Sequence, residues 1–182
     1  MEESITYTRG ARNANELWGW VNADWADDTD TRRPHTGYIM MMNGRTISWK
    51  SRRQDNVSLS ISEAEFVAAS QAGQQVIYLR ETLRDFGHQQ TKPTEIYEDN
   101  LACVAMSENH VRRKFSRHID IRRYFVRAGF VTIIPLCTHK MVAGTLTKSL
   151  PWPVFIGHRC VMMGQTPYAL KFWHSEYVFC AL

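Results

Sequence analysis

Trp18-Gly19-Trp20-Val21-Asn22-Ala23-Asp24-Trp25 is the stretch of sequence that decides the fold. Large apolar residues stand among small ones, and an acidic turn follows at residues 26–30, which is typical of a buried strand that ends in a turn. Because side chains alternate between the two faces of a strand, Asn22 and Asp24 point the same way. Two polar groups that project together from an apolar strand indicate either a solvated strand end or a functional site.

The composition predicts an ordinary globular domain. The chain has 182 residues, of which 44% are hydrophobic and 22% charged, enough for one domain with a sizeable core. A net charge of +4 is compatible with a polyanionic partner but does not require one. Residues 1–15 lack the apolar core of a secretory signal, and no apolar run reaches about 18 residues. We therefore expect an intracellular protein, cytoplasmic or nuclear, with no membrane partner.

Outward from the first strand, the pattern predicts further strands and then alternating helices and strands. Asn43-Gly44 is the strongest hairpin signal in the chain and joins two strands, and a basic loop follows at residues 50–54. A long helix begins near Ser60, where Ser60 with Glu63 and Ser62 with Glu65 both fit the capping-box pattern. The predicted strands are 18–25, 36–42, 45–50, 93–98 and 129–135, and the shorter predicted helices are 101–106, a basic helix within 109–127, and 141–150.

This order predicts an α/β fold with a five-stranded mixed sheet, in which three antiparallel strands are followed by two parallel additions and helices cover both faces. The strand at 18–25 is expected at its centre. Asp99 directly follows the fourth strand, where a carboxylate either caps the next helix or marks a site at the carboxyl edge of the sheet. Glu65, near the start of the long helix, is placed where a negative charge complements the helix dipole. The basic residues of 109–127 form either a solvated face or a nucleic-acid-binding surface.

An ordered set of short motifs resembles the ribonuclease H (RNase H) domain of copia-type retrotransposon Pol polyproteins. The motifs are Ala23-Asp24-Trp25-Ala26, Asp30-Thr31-Arg32-Arg33, Thr36-Gly37-Tyr38, Ile47-Ser48-Trp49, Leu59-Ser60 with Glu63-Ala64-Glu65, Tyr78-Leu79-Arg80, Asp99-Asn100, His118-Ile119-Asp120-Ile121 and Leu146-Thr147-Lys148-Ser149-Leu150. Each is weak alone, but together they keep the family's order. The resemblance implies an RNase H-like fold, with a connector over residues 1–16, the domain over 17–150, and a trailing segment over 151–182 that is family-like to about residue 164.

The resemblance also implies a chemistry. In that family, four carboxylates hold two divalent ions, Mg²⁺ or Mn²⁺, and the RNA strand of an RNA–DNA hybrid is cleaved. Glu65 and Asp99 match two of these carboxylates. The other two positions are substituted here, one by Asn22 and one by Gly144. Asp24 lies about 6–7 Å beyond Asn22 on the same strand face and is a candidate partial replacement.

The two substitutions lower the expected activity. Cation affinity tracks the charge of the ligands, so we expect weak or absent cation binding and little or no nuclease activity. Three hypotheses follow: an active ribonuclease H, which needs the missing acids replaced from elsewhere; a hybrid-binding module without catalysis; and a retrotransposon relic with no selected function. A reverse transcriptase domain is expected upstream in the same polyprotein. Contacts to the phosphates of an RNA–DNA hybrid are predicted for Arg52, Arg53, Arg113 and Arg117.

Overall fold

The computed structural model describes residues 5, 15–25, 33–55, 57–108 and 129–165. The basic helix predicted within 109–127, with Arg113 and Arg117, lies outside these residues, as does the end of the trailing segment from residue 166. Within the described part of the chain, no helix has the length and apolar character that crossing a membrane requires.

Five strands and several helices make up the described structure. The strands are β1 (Trp18–Asp24), β2 (His35–Met42), β3 (Arg45–Arg53), β4 (Thr94–Glu98) and β5 (Val131–Pro135). The α-helices are α1 (Ile61–Asp85), α2 (Leu101–Glu108) and α3 (Trp152–Met163), and two 3₁₀ helices are η1 (Thr138–Lys140) and η2 (Val142–Leu146).

The sheet has the strand order β3-β2-β1-β4-β5, with β1 at its centre. β2 pairs antiparallel with both β1 and β3, whereas β4 pairs parallel with both β1 and β5. The predicted mixed sheet is therefore confirmed. Because β1, β3, β4 and β5 all run in one direction, their carboxyl ends meet at the same edge of the sheet.

Helices cover both faces of the sheet, as predicted. On one face, Val21 and Ile96 of the sheet share an apolar core with Phe66 of α1. On the other face, Trp20 shares a second core with Val142 of η2. Val161 of α3 belongs to that second core, although no helix was predicted there, so the packed structure continues past residue 150.

The hairpin between β2 and β3 forms where the sequence predicts it, but the prediction of a basic loop at residues 50–54 was wrong. Asn43 and Gly44 both take positive φ angles, 53° and 73°, which a tight hairpin turn of this kind requires. β3 continues to Arg53 because residues 51–53 keep pairing with residues 35–37 of β2. Since β3 is an edge strand, its polar and charged end remains in water, and it needs no apolar pattern there.

Two helix predictions also changed. α1 is capped by Ser60, whose hydroxyl accepts a hydrogen bond from Glu63 N at 3.2 Å, and this prediction is confirmed. The alternative capping box of Ser62 with Glu65 was wrong, because Glu65 turns to β1 instead. The helix predicted over 141–150 is only the short η2, which is held against β2 at Gly37.

Candidate metal centre

Three carboxylates from two parts of the chain meet at the carboxyl edge of the sheet. Glu65 comes from the second turn of α1, Glu98 is the last residue of β4, and Asp99 follows it. Each of these side chains offers one carboxylate oxygen, and the three oxygens all lie within 4.8 Å of one another. The structure therefore brings together Glu65 and Asp99, as the motifs implied, and adds Glu98 to them.

Glu65 is fixed against the central strand. Its side chain is buried, and Oε2 accepts a hydrogen bond from Ala23 N at 2.5 Å. Burial raises the pKa of Glu65, and the nearby carboxylates of Glu98 and Asp99 raise it further. Because negative charge is costly here, the site is suited to a cation that offsets it.

Glu98 is the carboxylate that sequence reasoning missed. It is 0% exposed, and burial raises its pKa, with Asp99 adding to the effect. A signal was present: Thr94 and Ile96 share its strand face and are buried, so alternation along β4 places Glu98 on the side of the sheet that α1 covers. The family motif begins only at Asp99 and does not include Glu98.

Asn22 and Gly144 are also brought together, through Thr147. Asn22 is 1% exposed, and its Nδ2 donates a hydrogen bond to Thr147 Oγ1 at 2.6 Å. The same hydroxyl donates to the backbone oxygen of Gly144 at 3.2 Å. A Cβ added at Gly144 would meet the Cε atom of Lys148 at 3.6 Å, which is ordinary contact. The backbone that would carry the two substituted acids therefore persists, with room for a side chain at residue 144.

Asp24 and the two described arginines lie at the same edge but outside the cluster of three carboxylates. Asp24, the last residue of β1, pairs with His35 of β2, and His35 pairs with Arg53, the last residue of β3. Arg52 is exposed and forms an ion pair with Asp55 at 3.1 Å. Because β3 and β4 end at the same edge, Arg52 and Arg53 approach the side of the molecule that carries the acids.

The three carboxylates fit a hard divalent cation. Carboxylate oxygens are the donors that Mg²⁺, Mn²⁺ and Ca²⁺ prefer. Oε2 of Glu98 is buried and has no hydrogen-bond partner among the described residues, so this oxygen is available to bind a cation. Two of the three residues are buried and Asp99 is half-buried, which leaves the cluster open on one side.

The sheet order, the helices on both faces and the acidic edge define a domain with the RNase H fold. The solved structures bear this out. The structure of LC11-RNase H1 in complex with an RNA/DNA hybrid matches with a TM-score of 0.56 and 11% identity, over 72% of this chain and 94% of that one. A second structure of LC11-RNase H1, isolated from compost, gives a TM-score of 0.55 at 14% identity. At these identities the likeness shows the fold alone.

Sequence relatives identify the kind of protein more closely. The Pol polyprotein of transposon TNT 1-94 from Nicotiana tabacum is 34% identical over 139 residues, which cover 74% of this chain and 10% of the relative. That of transposon RE2 from Arabidopsis thaliana is 32% identical over 142 residues, or 76% of this chain and 10% of the relative. The chain thus spans about a tenth of these retrovirus-related polyproteins. No family model matches it. The predicted resemblance is confirmed: the chain has the RNase H fold and is similar in sequence to a stretch of retrotransposon Pol polyproteins.

Proposed function

We propose that this domain binds RNA–DNA hybrids and hydrolyses their RNA strand weakly or not at all. The observation that supports the proposal is the make-up of the site. Carboxylate oxygens of Glu65 and Asp99 lie within 4.8 Å of each other, while the other two positions that carry acids in the family hold Asn22 and Gly144. The domain would act as part of a polyprotein, after a reverse transcriptase domain.

The remaining residues limit the chemistry. A bound divalent ion, Mg²⁺ or Mn²⁺, would stabilise negative charge on the phosphate and generate a nucleophilic water. Glu65 and Asp99 would hold it. Asn22 adds no negative charge, and its Nδ2 is committed to Thr147. Gly144 has no side chain and adds no ligand. Because positions 22 and 144 together lack two negative charges, the binding of a second ion is weakened most.

Hybrid binding has separate support. Arg52 and Arg53 are exposed where β3 ends, at the edge that carries the acids. Guanidinium groups at such a position suit phosphate contacts, and a hybrid is recognised through its backbone and 2′-hydroxyls. Arg113 and Arg117 are proposed as further phosphate contacts. This placement supports hybrid binding both for a weakly active enzyme and for the second candidate function, a hybrid-binding module without catalysis.

Cleavage is tested by restoring both acids. Labelled hybrid is incubated with the wild-type chain and with Asn22→Asp/Gly144→Asp, in Mg²⁺ and in Mn²⁺. The double variant is expected to cleave the RNA strand at least about tenfold faster, since each 1.4 kcal/mol of restored stabilisation is worth that factor. The same double variant with Glu65→Gln serves as the control and is expected to be inactive. Equal turnover by the wild-type chain and the double variant would refute a degenerate site.

Binding is tested without cleavage. Hybrid affinity is measured across a salt series for the wild-type chain, Arg52→Ala and Arg84→Ala. Arg84 is the matched control, because it is also exposed and ion-paired, with Glu81, but lies at the distal end of α1. Loss of one phosphate contact in Arg52→Ala is expected to reduce the slope of log K against log salt by about 1. A wild-type chain with no salt-dependent affinity for hybrid would favour the relic hypothesis.

A further inference from the structure

Glu98 stands in an environment that the fold itself does not explain. Its carboxyl group is fully buried at the end of β4, on the side that faces α1. One oxygen, Oε1, accepts a hydrogen bond from Asn100 N at 3.0 Å. The other, Oε2, has no partner among the described residues. A buried carboxylate oxygen without a donor costs stability, so its retention needs a compensating interaction.

Local structure does not supply that interaction. The amino end of α2 is capped by Asn100, whose Oδ1 accepts a hydrogen bond from Cys103 N at 2.9 Å. Glu98 contributes to the turn through Oε1, which accepts from Asn100 N, and the backbone N–H of Asp99 also lies near its carboxyl group. The thiol of Cys103 lies against the carboxyl group, but a thiol is a weak donor and does not reach Oε2 with the geometry of an ordinary hydrogen bond.

We propose that Glu98 is a ligand of one divalent cation, which it holds together with Glu65 and Asp99. This proposal rests on the proposed function only in placing the cation site at Glu65 and Asp99; it does not depend on hybrid binding or cleavage. Glu98 adds a negative charge that the family pattern does not include, in a domain where positions 22 and 144 have lost theirs. The site thereby regains three carboxylates around a single ion.

The spacing of the oxygens suits one ion. Two oxygens bound to the same ion lie no further apart than twice the ion–oxygen distance, or about 4–5 Å for cations bound at 2.0–2.6 Å. The three oxygens lie within 4.8 Å of one another, inside that limit for Ca²⁺. Mg²⁺ binds oxygen at about 2.0–2.1 Å and draws them closer. Asp99 is half-buried, which leaves a path for water or a phosphate oxygen to reach the ion.

The test measures ion binding in the absence of nucleic acid. The purified full chain is titrated with Mn²⁺, and free Mn²⁺ is followed by electron paramagnetic resonance. Three chains are compared: wild type, Glu98→Gln and Glu95→Gln. Glu95 is the matched control, because it lies on the same strand but is exposed on the opposite face.

Glu98→Gln is expected to weaken Mn²⁺ binding by at least the roughly 10–100-fold that loss of an outer partner of a metal ligand causes. Glu95→Gln is expected to match the wild type. In a Glu65→Gln background the effect of Glu98→Gln shrinks, because the two residues share one ion. Equal affinity of Glu98→Gln and wild type, or no Mn²⁺ binding by the wild type, would overturn the proposal.

A structural role for Glu98 is separated by thermal unfolding with and without Mn²⁺. The ion is expected to raise the unfolding temperature of the wild type but not of Glu98→Gln. If Glu98→Gln loses stability and yet keeps the full Mn²⁺ shift, Glu98 is structural and the proposal fails. Should the amide variant not fold, Glu98→Asp keeps the charge, withdraws it by one methylene, and is expected to bind Mn²⁺ more weakly than the wild type. Because no hybrid is present, failure of hybrid binding or cleavage leaves these results unaffected.

Discussion

Gly37 sets how closely η2 packs against the sheet, and its replacement by alanine has a predictable cost. A Cβ at residue 37 would lie 2.7 Å from Thr147 Cγ2 and 3.0 Å from the backbone oxygen of Ala143. Since one of these contacts is backbone, η2 must shift as a unit. Overpacking of this kind costs about 1–3 kcal/mol, partly offset by about 0.4–1 kcal/mol from the less flexible unfolded chain.

Gly144→Ala is the matched control, because a Cβ there meets only the end of Lys148, at 3.6 Å, among the described residues. Thermal and urea unfolding are measured for both variants. Gly37→Ala is expected to lower the unfolding temperature by about 2–4 °C for each kcal/mol lost, and Gly144→Ala to leave it unchanged or slightly raised. A shift of η2 would also stretch the Asn22–Thr147 hydrogen bond. If Gly37→Ala is as stable as the wild type while Gly144→Ala is not, the close packing described for η2 is wrong.

Two further predictions concern stability away from the acids. Ser60→Ala removes the hydroxyl that caps α1 and is expected to lower the free energy of unfolding in urea by about 0.5–2 kcal/mol. Ser62 does not cap the helix, so Ser62→Ala should change that free energy by less than about 0.5 kcal/mol. Equal losses in the two variants would contradict the capping assignment. Burial lowers the pKa of His158, so below the ordinary value of 6.5 the unfolded chain takes up a proton that the folded chain resists. Stability should therefore fall as pH drops below 6.5, and less steeply for His158→Gln; identical pH slopes of the two chains would contradict this.

The sequence predicted the sheet because its signals were strong and local. Apolar residues mark β1, and Asn43-Gly44 fixes the hairpin next to it, so strand order followed from connection rules. α3 was missed for a local reason as well. Pro151 and Pro153 look like breaks in structure, but here Pro151 is the N-cap residue and Pro153 lies in the first turn of the helix, where proline is tolerated.

The candidate site was only partly accessible to sequence reasoning. Glu65 and Asp99 followed from motifs, and the structure places them together. Glu98 did not, because its role depends on which face of β4 is covered by α1, and that is a property of the packed structure. The extension of β3 to Arg53 was missed for a similar reason: pairing with β2 determines it, and its own polar residues do not indicate a strand.

The most direct test of the central claim is a count of bound ions. That claim is an RNase H scaffold that persists after two of its four cation-binding acids have been replaced, at residues 22 and 144. Mn²⁺ stoichiometry is measured by equilibrium dialysis on the wild-type chain and on Asn22→Asp/Gly144→Asp. The wild type is expected to bind one ion and the double variant two. Two ions on the wild-type chain, or no additional ion on the double variant, would contradict the account.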